Sequence, residues 1–185
     1  MNVIKKIFRS DLTFFIFALL GALCGLLLAL LSSHTENPDA FASGFAHAFP
    51  GVYTPRSIAF AVFFQALPML IVYYSGYGIL VRETAATVIF IRAFFGGYCA
   101  LFAARLGDLK DPLFLLLFVF FILFELLTLS FHASFAHLAR AFSRAILTKR
   151  AGKAVKSYTA DLLFFSGLIL FFYIARGCVV ALMNL

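Results

Sequence analysis

The sequence predicts an all-α, polytopic helical membrane protein with about five transmembrane helices. The chain is 64% hydrophobic and only 12% charged, so a soluble domain of its 185 residues would lack the charged surface that it needs. Its long apolar stretches show no alternation of the β type, and backbone in lipid must satisfy its own hydrogen bonds. No long hydrophilic segment is present, so we expect residues 1–185 to form a single integral membrane domain.

Five apolar segments are the predicted spans. The first is about 19 residues long, which is enough to cross the hydrocarbon core of a bilayer. Pro68 should kink the second span, whereas Pro112 suits the first turn of the fourth. Arg176 and Gly177 are expected to interrupt the fifth span, and Arg176 could instead mark a re-entrant or tilted end. The predicted spans are residues 13–31, 57–80, 85–104, 112–131 and 161–180.

The basic residues orient these spans. The positive-inside rule places the more basic segments in the cytoplasm, which predicts the N-terminus inside and the C-terminus outside. The longest outer segment is then the loop of residues 32–56. The inner basic residues are Lys5, Lys6, Arg9, Arg82, Arg140, Arg144, Lys149, Arg150, Lys153 and Lys156. The outer basic residues are Arg56, Arg105, Lys110 and Arg176.

A basic inner segment, residues 132–157, supplies most of the net charge of +7. We expect it to continue the fourth helix beyond the membrane, to fix the topology and to contact anionic lipid headgroups. Docking of another protein is the alternative. Because the charge lies beside the membrane, no nucleic-acid partner is expected. The lipid-facing basic residues of this segment are Arg140, Arg144, Lys149, Arg150, Lys153 and Lys156.

Charged residues inside the spans are the main functional candidates, because ionisable groups are costly in lipid and usually face protein or water. Arg92 and Glu125 both lie roughly 10 Å from the inner edge of their spans, at 1.5 Å per residue. Only residues 106–111 join these spans, so they should be antiparallel neighbours. We therefore predict an ion pair between Arg92 and Glu125. It could be structural, or it could belong to an ion or proton path.

Small residues in the first span indicate close helix packing. Gly21 and Gly25 are spaced so that another helix can approach them closely. The alternative is that glycine is simply common in membrane spans. The three cysteines, Cys24, Cys99 and Cys178, are scattered through the spans and are expected to be packing residues.

No catalytic constellation is evident in the sequence. It contains no HExxH, no paired-cysteine motif, no nucleophile elbow and no nucleotide-binding fingerprint. We therefore expect no enzyme activity, no metal and no cofactor.

The third span and the turn after it carry a resemblance. Residues 91–98 read IRAFFGGY and residues 106–110 read LGDLK. With the layout of the spans, this resembles the stage II sporulation protein M family of Gram-positive endospore formers. Arg92, Phe94, Gly96 and Gly97 match the motif, whereas Ala93 stands where that family usually has glycine. Glu125 also lies in a Phe- and Leu-rich fourth span where a polar, proline-containing span is usual.

The resemblance implies a non-enzymatic scaffold of the engulfment machinery in the bacterial cell membrane. Members of that family are associated with two peptidoglycan-degrading partners, the stage II D and P proteins. On this interpretation the outer loop would face cell-wall hydrolases.

A small permease or membrane subunit of a transporter is the alternative. Arg92, Glu125, Arg176 and Gln65 would then line a polar cavity. Because no internal repeat is visible, this alternative ranks second. A membrane enzyme acting on lipids or peptide bonds ranks last.

Overall fold

Helices account for nearly all of the described chain. The structure, a computed structural model, describes residues 12–32, 55–104, 108–147 and 151–183. The N-terminal arm and nearly all of the predicted outer loop lie outside these residues. The described ranges form five helices, α1 Leu12–Ser32, α2 Pro55–Ser75, α3 Val81–Ala104, α4 Pro112–Leu147 and α5 Ala151–Met183.

The predicted class, an all-α membrane protein with several spans, is confirmed. Four of these helices, α1, α3, α4 and α5, are long and apolar enough to cross a membrane. The fifth, α2, has 21 residues and continues through Pro68. At 1.5 Å per residue its length is about 32 Å, which matches the hydrocarbon core. Large apolar side chains such as Phe15, Leu31 and Phe171 are exposed on the helix surfaces, as lipid contact requires.

The last two helices differ from their predicted bounds. α4 does not end near residue 131 but continues to Leu147, and α5 begins at Ala151 instead of residue 161. The expected interruption at Arg176 and Gly177 is wrong, because α5 is continuous through both residues to Met183. Val179 and Met183 reach Phe114, near the first turn of α4. α5 therefore runs back along nearly the whole length of α4.

α1 packs along α3, and glycines make this contact close. A Cβ atom added at Gly21 or Gly25 would overlap the carbonyl oxygen of Phe90 or Phe94, respectively. One added at Gly97 would overlap the carbonyl oxygen of Ala22. The contact points advance together along both helices, so α1 and α3 are parallel. The packing predicted from Gly21 and Gly25 is confirmed, with α3 as the partner.

α4 and α5 form an antiparallel pair joined through aromatic side chains. Near the Leu147 end, the ring of Tyr158 stacks on Phe142 and Phe135, with centroids 4.1 and 5.5 Å away. Farther along, Phe172 packs against Phe131 and Phe124 at 5.6 and 5.7 Å. The phenylalanines of these helices are therefore divided between a face that joins the pair and a face for lipid.

The turn between α2 and α3 is held against the α4–α5 pair. The Tyr158 hydroxyl donates a hydrogen bond to the Tyr73 carbonyl at 3.1 Å. The Ser143 hydroxyl donates one to the Gly78 carbonyl at 2.9 Å. Tyr73 stacks on Tyr158, whereas Tyr74 is exposed.

The first part of the predicted basic segment, residues 132–147, is mainly a packing element. His132, Phe135, Ala136 and Ala139 are buried on one face of α4. Arg140 is half-buried, and Arg144 is exposed. The buried face closes the core of the bundle, so contact with lipid headgroups stays a prediction for the basic side chains of this segment only.

Candidate functional site

Three helices bring their buried charged residues to one place. Arg92 comes from α3, Glu125 from α4 and Arg176 from α5. Their side chains are 11%, 11% and 6% exposed, respectively. We call this group the charge cluster. Glu125 lies about 20 Å along α4 from Pro112 and about 33 Å from Leu147, so the cluster is deep within the bundle.

Glu125 is shared by the two arginines. Its Oε2 atom lies 3.4 Å from Nη2 of Arg92, within salt-bridge distance. Its Oε1 atom pairs with Nη1 of Arg176. The predicted contact between Arg92 and Glu125 is therefore present. The second contact was not predicted, because Arg176 was assigned to the outer end of its span.

Aromatic rings hold Arg176 in place. Its guanidinium carbon lies 5.0 Å from the ring centroid of Tyr173 and 5.7 Å from that of Phe121. These distances are within the range of cation–π attraction, which is stronger in a desolvated site. Charge pairing and ring contacts together explain why α5 continues through Arg176 instead of breaking there.

The neighbours of the cluster include a buried cysteine and a buried histidine. Cys99 of α3 is buried and lies within electrostatic range of both arginines. His132 is 1% exposed and lies within electrostatic range of Arg92. The sequence itself places His132 near the cluster, because His132 follows Glu125 by two helical turns on the same face of α4. Cys24 and Cys178 are exposed, so the packing role expected of the cysteines fits Cys99 alone.

Two glycines of the family-like motif serve different purposes. Gly97 admits the backbone of α1, as described above. Gly96 faces Glu125 instead, because a Cβ atom there would lie 3.3 Å from Oε2. Phe94 is half-buried and makes an edge-to-face contact with Phe95 at 5.6 Å, and its carbonyl faces Gly25. The motif therefore places one charged residue next to glycines that allow α1 and the Glu125 side chain of α4 to approach α3 closely.

The described side chains of the predicted basic set, Arg140, Arg144 and Lys156, do not join the charge cluster. Arg140 and Arg144 lie on the far part of α4, and Lys156 is exposed on α5. Lys149 and Arg150 lie outside the described residues, and the side chain of Lys153 is likewise not described. The described side chains in this set remain suited to the contact with anionic lipid that the sequence predicts.

The chemistry open to the cluster is that of fixed charges in a low-dielectric site. The two guanidiniums and the carboxylate hold one another by charge pairing, which joins α3, α4 and α5. Within the described part of the chain, no three His, Cys, Asp or Glu side chains are grouped to hold a metal ion.

The bundle and its interior charges define an integral membrane protein with several spans and a buried arginine–glutamate–arginine cluster. In comparisons with known proteins, no protein-family model, curated protein or solved structure matches the chain.

Proposed function

We propose that the protein is a non-enzymatic integral membrane scaffold of the bacterial cell membrane, similar in role to the stage II sporulation protein M family. In this role it anchors extracytoplasmic peptidoglycan hydrolases during engulfment in sporulation. The motif at residues 91–98 and the order of the spans suggest the family. The observation that carries the scaffold role is the mutual pairing of the charges on α3, α4 and α5 inside the bundle.

Paired charges favour a scaffold for a physical reason. A group that binds and releases a transported solute must exchange partners, and in lipid each unpaired charge is costly. Here Arg92 and Arg176 contact the same carboxylate, and all three side chains are about nine-tenths buried. Such a cluster joins α3, α4 and α5 in one arrangement, and a rigid bundle is suited to present an outer surface to partners.

Affinity purification from the native host tests this function. The tagged chain is purified in mild detergent during spore formation, and co-purifying proteins are identified by mass spectrometry. We expect cell-wall hydrolases with the intact chain. They should be lost when residues 33–54 are replaced by a Gly/Ser linker of equal length. The matched control is Arg144→Gln with Lys156→Gln, which changes the predicted inner side and should leave capture intact.

A transport subunit is the second candidate, because the cluster contains two arginines and only one carboxylate. An excess of positive charge at this depth is a feature of sites that attract anions. Recovery of an ATPase or a solute-binding protein without hydrolases would overturn the scaffold proposal and favour transport. Replacing all three cluster residues by apolar ones separates the two roles. A folded scaffold would still capture hydrolases, whereas a transporter would lose flux in proteoliposomes.

A further inference from the structure

The α2–α3 turn lies beside a part of α4 that was expected beyond the membrane. The Ser143 hydroxyl donates its hydrogen bond to the carbonyl of Gly78, at 2.9 Å. The sequence predicts this edge of the membrane at residue 80 in α2 and at residue 131 in α4. Ser143 follows residue 131 by about 12 residues, or about 18 Å of helix. The two predicted edges therefore lie at different levels of one bundle, and they cannot both be right.

The lengths of α1 and α3 exclude an edge at residue 131. Gly96 of α3 faces Glu125 of α4. Counting forward on α4 and back on α3, which are antiparallel, places residue 131 at the level of Phe90, and Gly21 of α1 packs on Phe90 as well. From this level to its last residue, α3 is about 21 Å long and α1 is about 17 Å long. Both lengths are too short for a hydrocarbon core of about 30 Å, whereas both helices can cross it when the edge lies at the α2–α3 turn.

Charged side chains gather at the level of Gly78 and Ser143, which we call the turn level. Lys156 precedes Tyr158 by half a helical turn, and the Tyr158 ring stacks on Phe142. Between the turn level and the charge cluster, the described parts of α3, α4 and α5 contain no Asp, Glu, Lys or Arg. The charged residues within about 10 Å of the turn level are Arg82, Glu83, Arg140, Arg144, Lys156 and Asp161. A belt of charges next to an uncharged stretch is typical of the boundary between headgroups and hydrocarbon.

The surface of the turn is apolar at this same level. Tyr74, Ile79 and Leu80 are 69%, 86% and 68% exposed, respectively. We call these side chains the turn surface. Neighbouring exposed apolar side chains are unfavourable in water, and a tyrosine beside aliphatic residues suits the boundary of a bilayer. With the membrane edge at residue 131, the turn surface would lie about 18 Å out in water.

We propose that the turn surface is a lipid-binding surface, seated among phospholipids at the boundary between their headgroups and acyl chains. Residues 132–139 then lie in the hydrocarbon core instead of beyond the membrane. Glu125 is about 22 Å along α4 from Arg140, so it lies at or beyond the middle of the core instead of roughly 10 Å from the near edge. The proposal does not depend on the scaffold role, so loss of hydrolase capture would leave it intact.

A single tryptophan reports the depth of the turn, because the chain contains no tryptophan of its own. The full chain with Leu80→Trp is reconstituted in vesicles of phosphatidylcholine and phosphatidylglycerol. Its fluorescence is measured with phosphatidylcholine brominated on the acyl chain near the headgroup, and separately with iodide on both sides of the membrane. We expect strong quenching by the brominated lipid and little quenching by iodide. The reverse pattern would place the turn in water and would overturn the proposal.

Leu147→Trp is the matched control. Leu147 is 69% exposed, as Leu80 nearly is, but it lies about 6 Å beyond Ser143 along α4. Tryptophan at this position should be quenched more by iodide and less by the brominated lipid than tryptophan at residue 80. If the lipid quenches both variants equally, the membrane edge is not at the turn level and the proposed position is wrong.

Ser134→Trp tests α4 directly and covers the case in which Leu80→Trp disturbs the turn. Ser134 is half-buried and lies about 13 Å from Ser143 on the side of the charge cluster. With the edge at the turn level, tryptophan there is in the hydrocarbon core and should be quenched by the brominated lipid and not by iodide. Quenching by iodide would put this part of α4 outside the membrane and would refute the proposal.

Discussion

Replacing Gly25 with alanine tests the packing of α1 on α3. An added Cβ atom would lie 2.9 Å from both the carbonyl carbon of Phe94 and the amide nitrogen of Tyr98, and closer still to the Phe94 carbonyl oxygen. All three atoms belong to the backbone of α3, so no side-chain rotation can relieve the overlap. α1 would have to move away from α3, along an interface that also includes Gly21 and Gly97.

Three terms set the size of the effect. In water, alanine in place of glycine favours a helix by about 1 kcal/mol. In lipid a span stays helical even when it is separated from its neighbours, so this gain nearly cancels. Overpacking a close contact costs about 1–3 kcal/mol, and each lost Cα–H···O contact adds about 0.5–1 kcal/mol. We therefore expect Gly25→Ala to lower the free energy of unfolding by about 2–4 kcal/mol.

Gly167 provides the matched control. It lies on α5, and no described atom of a neighbouring element is within 4 Å of its Cβ position. Gly167→Ala should therefore leave the free energy of unfolding within about 0.5 kcal/mol of the original. Both variants are unfolded in mixed micelles by raising the mole fraction of dodecyl sulfate. If they lose structure at the same fraction, the close backbone contact of α1 with α3 is refuted.

Two further predictions concern the charge cluster and the turn after α2. Glu125→Leu should lower the free energy of unfolding by about 3–5 kcal/mol, because it removes the carboxylate that both arginines contact. A triple variant that adds Arg92→Met and Arg176→Met should recover most of that loss in the same unfolding assay. Equal stability of the single and triple variants would contradict the pairing. Gly76→Ala places a Cβ atom 2.5 Å from the Tyr158 hydroxyl, so Tyr158→Phe should partly rescue it. Additive effects in the double-mutant cycle would contradict this contact.

Local sequence patterns were sufficient to predict a close-packing face on α1 and a contact between α3 and α4. The spacing of Gly21 and Gly25 marks one face of α1, and that face meets α3. The short connection at residues 106–111 makes α3 and α4 neighbours, so two rare charges at matching distances from it could be paired.

The packed face of α4 beyond residue 131 could not be predicted in the same way. His132, His137, Arg140 and Arg144 make this stretch polar on average, which favours a position outside the bilayer. Yet Phe135 and Ala139 follow at helical spacing and are fully buried. The average polarity of residues 132–147 hides such a face, because the charged and polar residues of this stretch offset the apolar residues that pack.

The position of Arg176 depends on that same face. In an antiparallel pair of helices, two residues in contact define a common level. Counting the same number of residues toward the N-terminus of one helix and toward the C-terminus of the other reaches a second pair of facing residues. Phe142 stacks on Tyr158, and Glu125 pairs with Arg176. These two contacts are about 17 residues apart along α4 and about 18 along α5, which is nearly the same rise on both helices. With α4 ending at residue 131, this register is lost and Arg176 is assigned to the outer edge of the membrane. With α4 ending at Leu147, only residues 148–150 separate the two helices. This short connection sets the register of α5 along α4, so Arg176 lies opposite Glu125 and becomes the second arginine of the cluster.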